Sequence, residues 1–347
     1  MASWAWVQRK TTSVLKGTLM SKIAVTPNAN FTSMGGSVAP EFPSKEYLEY
    51  RRCWMENPPA FILRDMPLHL DIEASSKCNL RCTFCDKLPN LKPGQLGNLD
   101  FSLFQHIIDQ FSGDNKLWGL KLSYRGEPML NPKVPEMVKY AKEHGVLDVY
   151  FNTNGMFLDE KTCNALVEAG LDRISISIDG ITAEQYESVR IGAKFDRLLD
   201  GLRALWWERK KRNVTYPKIR IQTVKFPTTD AAAYQATWGQ YADEVAMVDF
   251  KDESKRDTSL RGDWACPQLW QRMTIEWDGT VLGCNNDDLR NINLGNAWDR
   301  SIYDCWHDER LMTIRNLHME GKSHEVADCN GCPWRTAQMR KVMGEII

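Results

Sequence analysis

Residues 68–250 alternate between short apolar segments and longer segments in which apolar residues recur every three or four positions. The short segments have the length of buried strands, and the longer ones have the period of amphipathic helices. The pattern predicts strands at 68–73, 117–123, 149–152, 174–178, 219–224 and 245–250. It predicts helices at 101–111, 132–144, 159–169, from 182, at 195–211 and at 229–241. Strands separated by helices indicate parallel βαβ units, so we expect an α/β fold.

We predict that residues 68–250 form the core domain. The segments on either side of it have other patterns. The first forty residues contain no Asp or Glu and are rich in Ser and Thr. For 1–42 this composition predicts a disordered extension or a start-site artefact, with organellar targeting as the alternative. We expect a helix at 43–56 within a lead-in, 43–67, because Ser44 can cap it and its aromatic residues have helical spacing.

After residue 250 the composition changes. Residues 251–262 are charged and lack an apolar period, which predicts a linker. A second domain, 263–347, should contain a β-hairpin around Asp278-Gly279, because Asp-Gly favours tight hairpin turns. A helix containing Ile302, Trp306 and Leu311 should follow the hairpin.

Composition excludes several classes of protein. The 347 residues are 43% hydrophobic and 26% charged, which fits a folded globular chain. The net charge of −1 carries no electrostatic footprint for nucleic acid. The longest apolar runs have the length of strands, so we expect no membrane span. Half of the ten cysteines lie in one triplet and one pair, which favours metal ligands over disulfides and a reducing, cytoplasmic location.

Three cysteines follow the first predicted strand. Cys78, Cys82 and Cys85 have the spacing CxxxCxxC, and thiolates this close in a loop converge on one metal centre. An iron–sulfur cube normally takes four cysteines, so three leave one iron open. The alternatives from the residues alone are a three-cysteine zinc knuckle and a chance cluster of cysteines.

This stretch, including the aromatic Phe84 before the third cysteine, resembles the signature of radical S-adenosylmethionine (radical SAM) enzymes. The resemblance implies a partial (β/α)6 TIM-type barrel with a [4Fe–4S] cluster whose open iron binds S-adenosylmethionine (SAM). It also implies reductive cleavage of SAM to a 5′-deoxyadenosyl radical, with electrons from an external donor such as flavodoxin or ferredoxin.

Unusual residues follow the later strands, and parallel barrels place their active sites at these strand ends. Gly126 and Glu127 resemble the family's GGE-type motif for the SAM amino group, with Arg125 in place of the first glycine. Asn154, in a Thr-Asn-Gly segment, resembles residues that line the SAM pocket. An Asn-Gly turn is the alternative for that segment.

The fourth strand alternates Ser with Ile, so Ser175 and Ser177 share one face. Its Ser-x-Asp-Gly segment resembles the family's ribose region, which implies a role for Ser177 and Asp179. Arg190 resembles an arginine that binds the SAM carboxylate, and a surface arginine is the alternative. On the fifth strand, residues 218, 220 and 222 share a face that could meet substrate or solvent.

The second domain holds four further cysteines, Cys266, Cys284, Cys329 and Cys332, around the predicted hairpin and helix. A four-cysteine zinc ribbon would explain this set. The set also resembles the SPASM/twitch extension of radical SAM enzymes, and four cysteines imply one auxiliary [4Fe–4S] cluster with no open iron.

These resemblances predict a radical SAM enzyme that acts on a small, sugar-like or natural-product substrate. The outcome would be an oxidation that uses the auxiliary cluster, or an epimerisation for which Cys305 is the candidate hydrogen donor. The alternative for Cys305, which precedes Trp306 on a predicted helix, is a packed residue. A peptide-modifying SPASM maturase or sulfatase-activating enzyme is the second hypothesis. A non-catalytic zinc or electron-transfer protein is the third.

Overall fold

A computed structural model describes residues 23–26, 31–85, 91, 94–227, 229–250 and 256–344. Its strands are β1 Ala24–Val25, β2 Phe31–Gly36, β3 His69–Ile72, β4 Arg81–Cys82, β5 Gly119–Lys121, β6 Asp148–Thr153, β7 Arg173–Ser177, β8 Arg190–Ile191, β9 Lys218–Lys225, β10 Glu244–Asp249, β11 Trp264–Ala265, β12 Arg272–Ile275, β13 Thr280–Leu282 and β14 Asn293–Asn296. Its helices are α1 Lys45–Glu56, α2 Phe101–Ile108, α3 Val134–Glu143, α4 Glu160–Glu168, α5 Ala183–Val189, α6 Phe195–Lys211, α7 Ala231–Trp238, α8 Ile302–Trp306, α9 Glu309–Met319 and α10 Pro333–Val342.

The centre of the fold is a set of parallel strands in the order β3-β5-β6-β7-β9-β10. Helices lie between consecutive members of this set, as in βαβ units. The arrangement confirms the predicted α/β class and the partial (β/α)6 barrel. At one edge β2 pairs antiparallel with β10, and at the other β12 pairs parallel with β3 and continues into β13 and β14.

The two faces of this sheet differ in chemistry because side chains alternate along a strand. On one face, residues such as Leu70, Ile174 and Ile219 pack in one apolar cluster with the helices. The other face is polar, and the register places Ser175 beside Arg220 and Ser177 beside Gln222. The polar residues of β9, whose direction the sequence leaves open, therefore line the side of the sheet that faces away from the helices.

The prediction of disorder for residues 1–42 is wrong for the part that the structure describes. Residues 31–36 form the edge strand β2, whose Thr32 pairs with Met247 of β10. Ala24 pairs with Trp264, so the N-terminal segment also contacts the second domain. Backbone pairing holds these residues although their composition lacks a strong apolar period. Residues 1–22 and 27–30 lie outside the described residues.

The C-terminal part confirms the hairpin and divides the predicted helix. Thr274 of β12 pairs with Leu282 of β13 across the Asp278-Gly279 turn. The helix expected over residues 302–311 is two helices, α8 and α9, because Asp308 caps the second with a hydrogen bond from the backbone N–H of Arg310. Within the described ranges, the structure has no helix both long and apolar enough to span a bilayer.

Gly36 tests whether the N-terminal strand belongs to the sheet. Its φ is +76°, and an added Cβ would lie 1.9 Å from the carbonyl oxygen of Asp243. Gly145 has a similar φ of +78° but open space around its Cβ position, so it is the matched control. Both Ala variants lose about 1–2 kcal/mol to the left-handed backbone.

We expect Gly36→Ala to lower the free energy of unfolding by about 1–3 kcal/mol more than Gly145→Ala does, because of the added clash. Denaturant unfolding of the two variants measures this difference. Equal losses would mean that residues 31–36 do not pair with β10.

Candidate functional site

The first cysteine loop joins β3 to β4, and a strand pairing fixes its position. Cys82 of β4 pairs with Arg190 of β8, and the backbone N–H of Thr83 donates to the carbonyl oxygen of Val189 at 2.9 Å. Within the loop, the Cys85 N–H donates to the Cys82 carbonyl at 3.2 Å. The pairing brings the predicted arginine beside the cysteine motif although the two are far apart in sequence.

The three thiols of this loop share one environment. Burial raises the pKa of Cys78, and Glu127 and the thiols of Cys82 and Cys85 raise it further. Burial also raises the pKa of Cys82, against the opposing effect of Arg190. Thiolates are the form that binds metal, and a nearby positive centre stabilises them. The loop therefore fits a metal centre that would deprotonate its cysteines.

Gly126 lets the end of the second barrel strand contact this loop. Its φ is +61°, and an added Cβ would lie 2.5 Å from the carbonyl oxygens of both Ser75 and Lys77. The next residue, Glu127, donates its backbone N–H to the Lys77 carbonyl at 2.7 Å. Only glycine fits this close approach, so the backbone requires the residue that the motif predicts.

Glu127 places a buried carboxylate beside the loop. Its oxygens accept hydrogen bonds from the Thr153 hydroxyl at 2.7 Å and from the backbone N–H of Asn154 at 2.8 Å. Burial raises the pKa of this carboxyl to about 7, although the hydrogen bonds act against the shift. The Asn154 side chain donates to Asn79 of the cysteine loop at 2.8 Å. Gly126, Glu127 and Asn154 thus converge on the loop.

Asp179 and Arg190 form an ion pair beside the same loop. The Arg190 Nε donates to the Asp179 Oδ2 at 2.7 Å, and the other carboxylate oxygen accepts from Thr223 and Val224. The Arg190 guanidinium carbon lies 5.6 Å from the centre of the Phe84 ring. Arg190 is buried, so it is not the surface residue of the alternative hypothesis. Asp179 therefore orients the Arg190 guanidinium, and its contact with the SAM ribose stays a prediction.

Ser177 lies at the end of β7 on the polar face of the sheet. Its hydroxyl is 3.5 Å from the side-chain nitrogen of Gln222, and the residue is half-buried. Part of Ser177 is therefore accessible, as a ligand contact requires.

A buried ion network that the sequence did not reveal joins the barrel to the C-terminal hairpin. The Arg125 guanidinium donates to both carboxylate oxygens of Glu73, each at 2.8 Å, and lies 2.6 Å from Glu276. Glu276 also pairs with Arg290, which contacts Asp278 at 2.9 Å. The polar alternation of residues 69, 71 and 73 was the available signal, but the partners of Glu73 could not be read from it.

The four cysteines of the second set also share one environment. Burial raises the pKa of Cys266 and Cys329, and the neighbouring thiols of the set raise both further. Cys329 and Cys332 bracket a turn in which the Cys332 N–H donates to the Cys329 carbonyl at 3.1 Å. The nearby Arg335 is buried, and its Nη1 has no hydrogen-bond partner among the described residues. A buried unsatisfied donor beside four thiols fits an anionic cluster.

Exposure separates the ten cysteines into two groups. The seven predicted ligands are half-buried, whereas Cys53, Cys163 and Cys305 are buried. Cys305 packs in the core, contacts the Leu294 carbonyl oxygen at 3.5 Å and has a pKa raised by burial to about 11. This placement contradicts the prediction that Cys305 donates hydrogen to a substrate radical, because the thiol has no open face.

The ligands of a single bound ion lie closer together than the ligands of an iron–sulfur cluster. In the part of the chain that the structure describes, no three Cys, His, Asp or Glu side chains are grouped as the ligands of one ion would be. A tetrahedral zinc ion holds its sulfurs about 2.3 Å from the metal, whereas an iron–sulfur cube is larger and holds its thiolates farther apart. The burial and mutual proximity of the thiols in each cysteine set therefore fit a cluster rather than a single ion.

Two family models match the chain in the order of its two cysteine sets. The radical SAM superfamily model matches residues 72–206, and the SPASM model, described as an iron–sulfur cluster-binding domain, matches residues 266–333. The first range contains the cysteine loop and the strand ends around it. The second contains all four cysteines of the second set.

Relatives of known name are consistent with these matches. The chain is 31% identical over 327 residues to the tungsten-containing aldehyde ferredoxin oxidoreductase cofactor-modifying protein of Pyrococcus furiosus, covering 78% of this chain and 88% of that protein. It is 35% identical over 136 residues to the GTP 3′,8-cyclase of Chlorobaculum tepidum. That second match covers 39% of each chain.

Solved structures share the fold at low sequence identity. The complex of BtrN with AdoMet and 2-DOIA has a TM-score of 0.51 at 19% identity, covering 78% of this chain and 93% of that one. Streptococcus suis SuiB bound to the precursor peptide SuiA has a TM-score of 0.57 at 15% identity, covering 86% and 76%. At these identities the likeness shows the fold alone.

The fold and the two cysteine sets define an iron–sulfur enzyme on a partial parallel barrel. The chain belongs to the radical SAM superfamily and carries a C-terminal SPASM domain. Its cofactors are accordingly SAM, a [4Fe–4S] cluster that binds SAM, and an auxiliary [4Fe–4S] cluster.

The raised pKa of Glu127 gives a pH-dependent contribution to stability. The folded protein favours the protonated carboxyl, whose pKa is about 7 against 4.5 in the unfolded chain. The unfolded state therefore binds fewer protons between these values, and the stability of the cluster-free protein falls as pH rises through this window.

We expect the free energy of unfolding of the cluster-free protein, minus that of Glu127→Gln, to fall by about 3 kcal/mol between pH 4.5 and 7 and then to level off. Denaturant unfolding across this pH range measures the difference. A difference that stays constant would contradict the burial of an ionisable Glu127.

Proposed function

We propose that Cys78, Cys82 and Cys85 ligate the SAM-binding [4Fe–4S] cluster. The proposal is supported by their shared environment and by the radical SAM match over residues 72–206. Three thiolates leave one iron of a cube open. Glu127 and Arg190 carry side chains of opposite charge, and backbone hydrogen bonds hold both residues against this loop.

We assign the two ends of SAM by charge. Glu127 would accept from the SAM ammonium group, whose positive charge would restore the ionised form of a carboxyl with a raised pKa. Arg190, oriented by Asp179, would bind the SAM carboxylate. Ser177 and Asn154 would contact the remaining polar groups, and Phe84 would pack beside them.

We propose that Cys266, Cys284, Cys329 and Cys332 ligate one auxiliary [4Fe–4S] cluster in full. The observation that carries this proposal is the grouping of four half-buried thiols whose burial and mutual proximity raise the pKa of Cys266 and Cys329. Four protein ligands leave no open iron for substrate. The role that remains for such a cluster is electron transfer.

The reaction that these groups support best is oxidation of a substrate. When bound, SAM and the first cluster would supply a 5′-deoxyadenosyl radical for hydrogen-atom abstraction. The auxiliary cluster would take the second electron, and loss of one proton from the substrate would complete the two-electron oxidation. An epimerisation would need a hydrogen donor near the substrate, and the three thiols outside the ligand sets are buried. We therefore propose a radical SAM dehydrogenase, with epimerase activity as the less favoured outcome.

We propose a small, polar, sugar-like or related natural-product substrate. The polar face of the barrel offers hydroxyl, amide and guanidinium groups, including Ser177, Gln222 and the Arg220–Glu244 pair. The named relatives are a cofactor-modifying protein and a GTP cyclase, both of which point toward small molecules. The likeness to SuiB concerns the fold alone, so it gives no support to a peptide substrate. Flavodoxin or ferredoxin in the cytoplasm would serve as the electron donor.

The two-cluster proposal predicts iron content. Anaerobic reconstitution of the wild type should give about eight iron and eight sulfide per chain. Cys329→Ala should hold about half as much, whereas Cys305→Ala should match the wild type, because only the first removes a proposed ligand. Iron and sulfide analysis measures both. Wild-type iron near four, or zinc in its place, would contradict the auxiliary cluster.

SAM cleavage separates the two clusters. Reduced wild type should release 5′-deoxyadenosine, and Cys82→Ala should release less than about one hundredth as much, because it lacks a ligand of the SAM-binding cluster. Cys329→Ala should still release it, since the first site is intact. Chromatography of the quenched reactions measures the product. Equal release from Cys82→Ala and the wild type would reject the assignment of the first site.

A further inference from the structure

His318 contacts two of the four cysteines in the second set. It lies in α9 and is completely buried. The backbone N–H of Cys266 donates to its Nδ1 at 3.1 Å, and its Nε2 lies 3.4 Å from the Cys329 sulfur. One ring therefore bridges the two ends of the cysteine set, which are distant in sequence.

The first of these contacts fixes the state of the ring. A nitrogen that accepts a hydrogen bond must carry a lone pair, so Nδ1 has no proton. A neutral imidazole with a bare Nδ1 carries its proton on Nε2. The Nε2–H is then a donor, and the Cys329 sulfur is the acceptor in reach. The backbone of one cysteine thus sets the tautomer that serves another.

The ring is held in this orientation by its surroundings. Leu311, Ile314, Arg315 and His318 form the buried stripe of α9, which has the spacing of one helix face. The Trp264 and His318 rings pack in an edge-to-face arrangement, with 6.3 Å between ring centres. A buried ring that is fixed on both sides has little freedom to turn its donor away from Cys329.

A hydrogen bond to a cluster sulfur changes the cluster's electron affinity. Reduction adds negative charge to the cluster and its thiolates, and an N–H donor stabilises the reduced form more than the oxidised form. Such donors are among the groups by which a protein sets the potential of an iron–sulfur centre. A higher potential makes the cluster a better electron acceptor.

We infer that His318 is a positioning residue of the auxiliary site, whose Nε2–H donates to the Cys329 thiolate and raises the reduction potential of the cluster there. The inference rests on the auxiliary cluster of the proposed function, and it explains how this chain would favour that cluster as an acceptor. If His318 only filled the core, a substitution that removes the donor to Cys329 would leave the reduction potential of the cluster unchanged.

Two complementary variants separate donation from packing. In His318→Asn the side-chain oxygen can still accept from the Cys266 N–H, but the donor to Cys329 is lost. In His318→Gln the longer amide can place its N–H₂ where the histidine Nε2–H lies. His307→Leu is the control, because His307 also contacts the backbone, with its Nε2 3.0 Å from the Asp65 carbonyl oxygen, but lies outside the cysteine set.

The measurement is an EPR-monitored redox titration of the reconstituted proteins, with iron analysis of each sample. At the wild-type midpoint potential, we expect His318→Asn to change the ratio of oxidised to reduced auxiliary cluster about tenfold toward oxidised. For a one-electron couple this is a midpoint lower by about 59 mV. His318→Gln should stay near the wild type, and His307→Leu should be unchanged.

The outcomes distinguish this inference from the proposed function. A wild type without a second four-iron cluster refutes the proposed function, whereas full iron with equal midpoints in the wild type and His318→Asn refutes the role of His318 alone. If His318→Asn fails to hold the cluster, pulsed EPR of the wild type labelled with ¹⁵N-histidine tests the hydrogen bond instead. A ¹⁵N coupling on the auxiliary-cluster signal that is lost in His318→Gln supports the hydrogen bond. A wild-type signal without this coupling refutes it.

Discussion

The arrangement of the site depends on one buried guanidinium. Arg125 lies between Glu73, at the end of the first barrel strand, and Glu276, at the end of the first hairpin strand. Both carboxylates are fully buried, so each needs the positive charge, and removal of one partner from such a group typically costs about 3–5 kcal/mol. Arg125 immediately precedes Gly126 and Glu127. The same interaction therefore joins the second domain to the barrel and fixes the backbone that contacts the cysteine loop.

This linkage gives the two cysteine sets a common frame. The strand β12 leads into the hairpin and pairs directly with β3, which leads into the first cysteine loop. Tyr124 donates to Asp288, four residues after Cys284, so a second polar contact spans the same junction. In the account proposed above, the first set leaves an open iron and the second does not. The first centre would then bind SAM, and the second would only transfer electrons.

Much of the fold and part of the site could be predicted from sequence because the signals are local. The alternation of apolar segments predicts the parallel strands, and the loop cysteines and Gly126-Glu127 follow strand ends. Three features could not be predicted in this way. The strand at residues 31–36 depends on pairing with β10, which a weak apolar pattern does not reveal. Glu73 and Glu276 become partners of Arg125 only when distant strands meet. His318 has the helical spacing of a core residue, and only the structure shows its contacts with Cys266 and Cys329. Cys305 lies on a predicted helix, and only the structure shows that its thiol is fully buried.

The central claim is that the chain holds one iron–sulfur cluster that binds SAM and a second that does not. EPR spectroscopy of the fully reconstituted, reduced protein, recorded with and without SAM, tests it most directly. The account predicts two distinct [4Fe–4S] signals, of which SAM changes the shape of one and leaves the other unaltered. A single signal, or a change in both signals on addition of SAM, would contradict it.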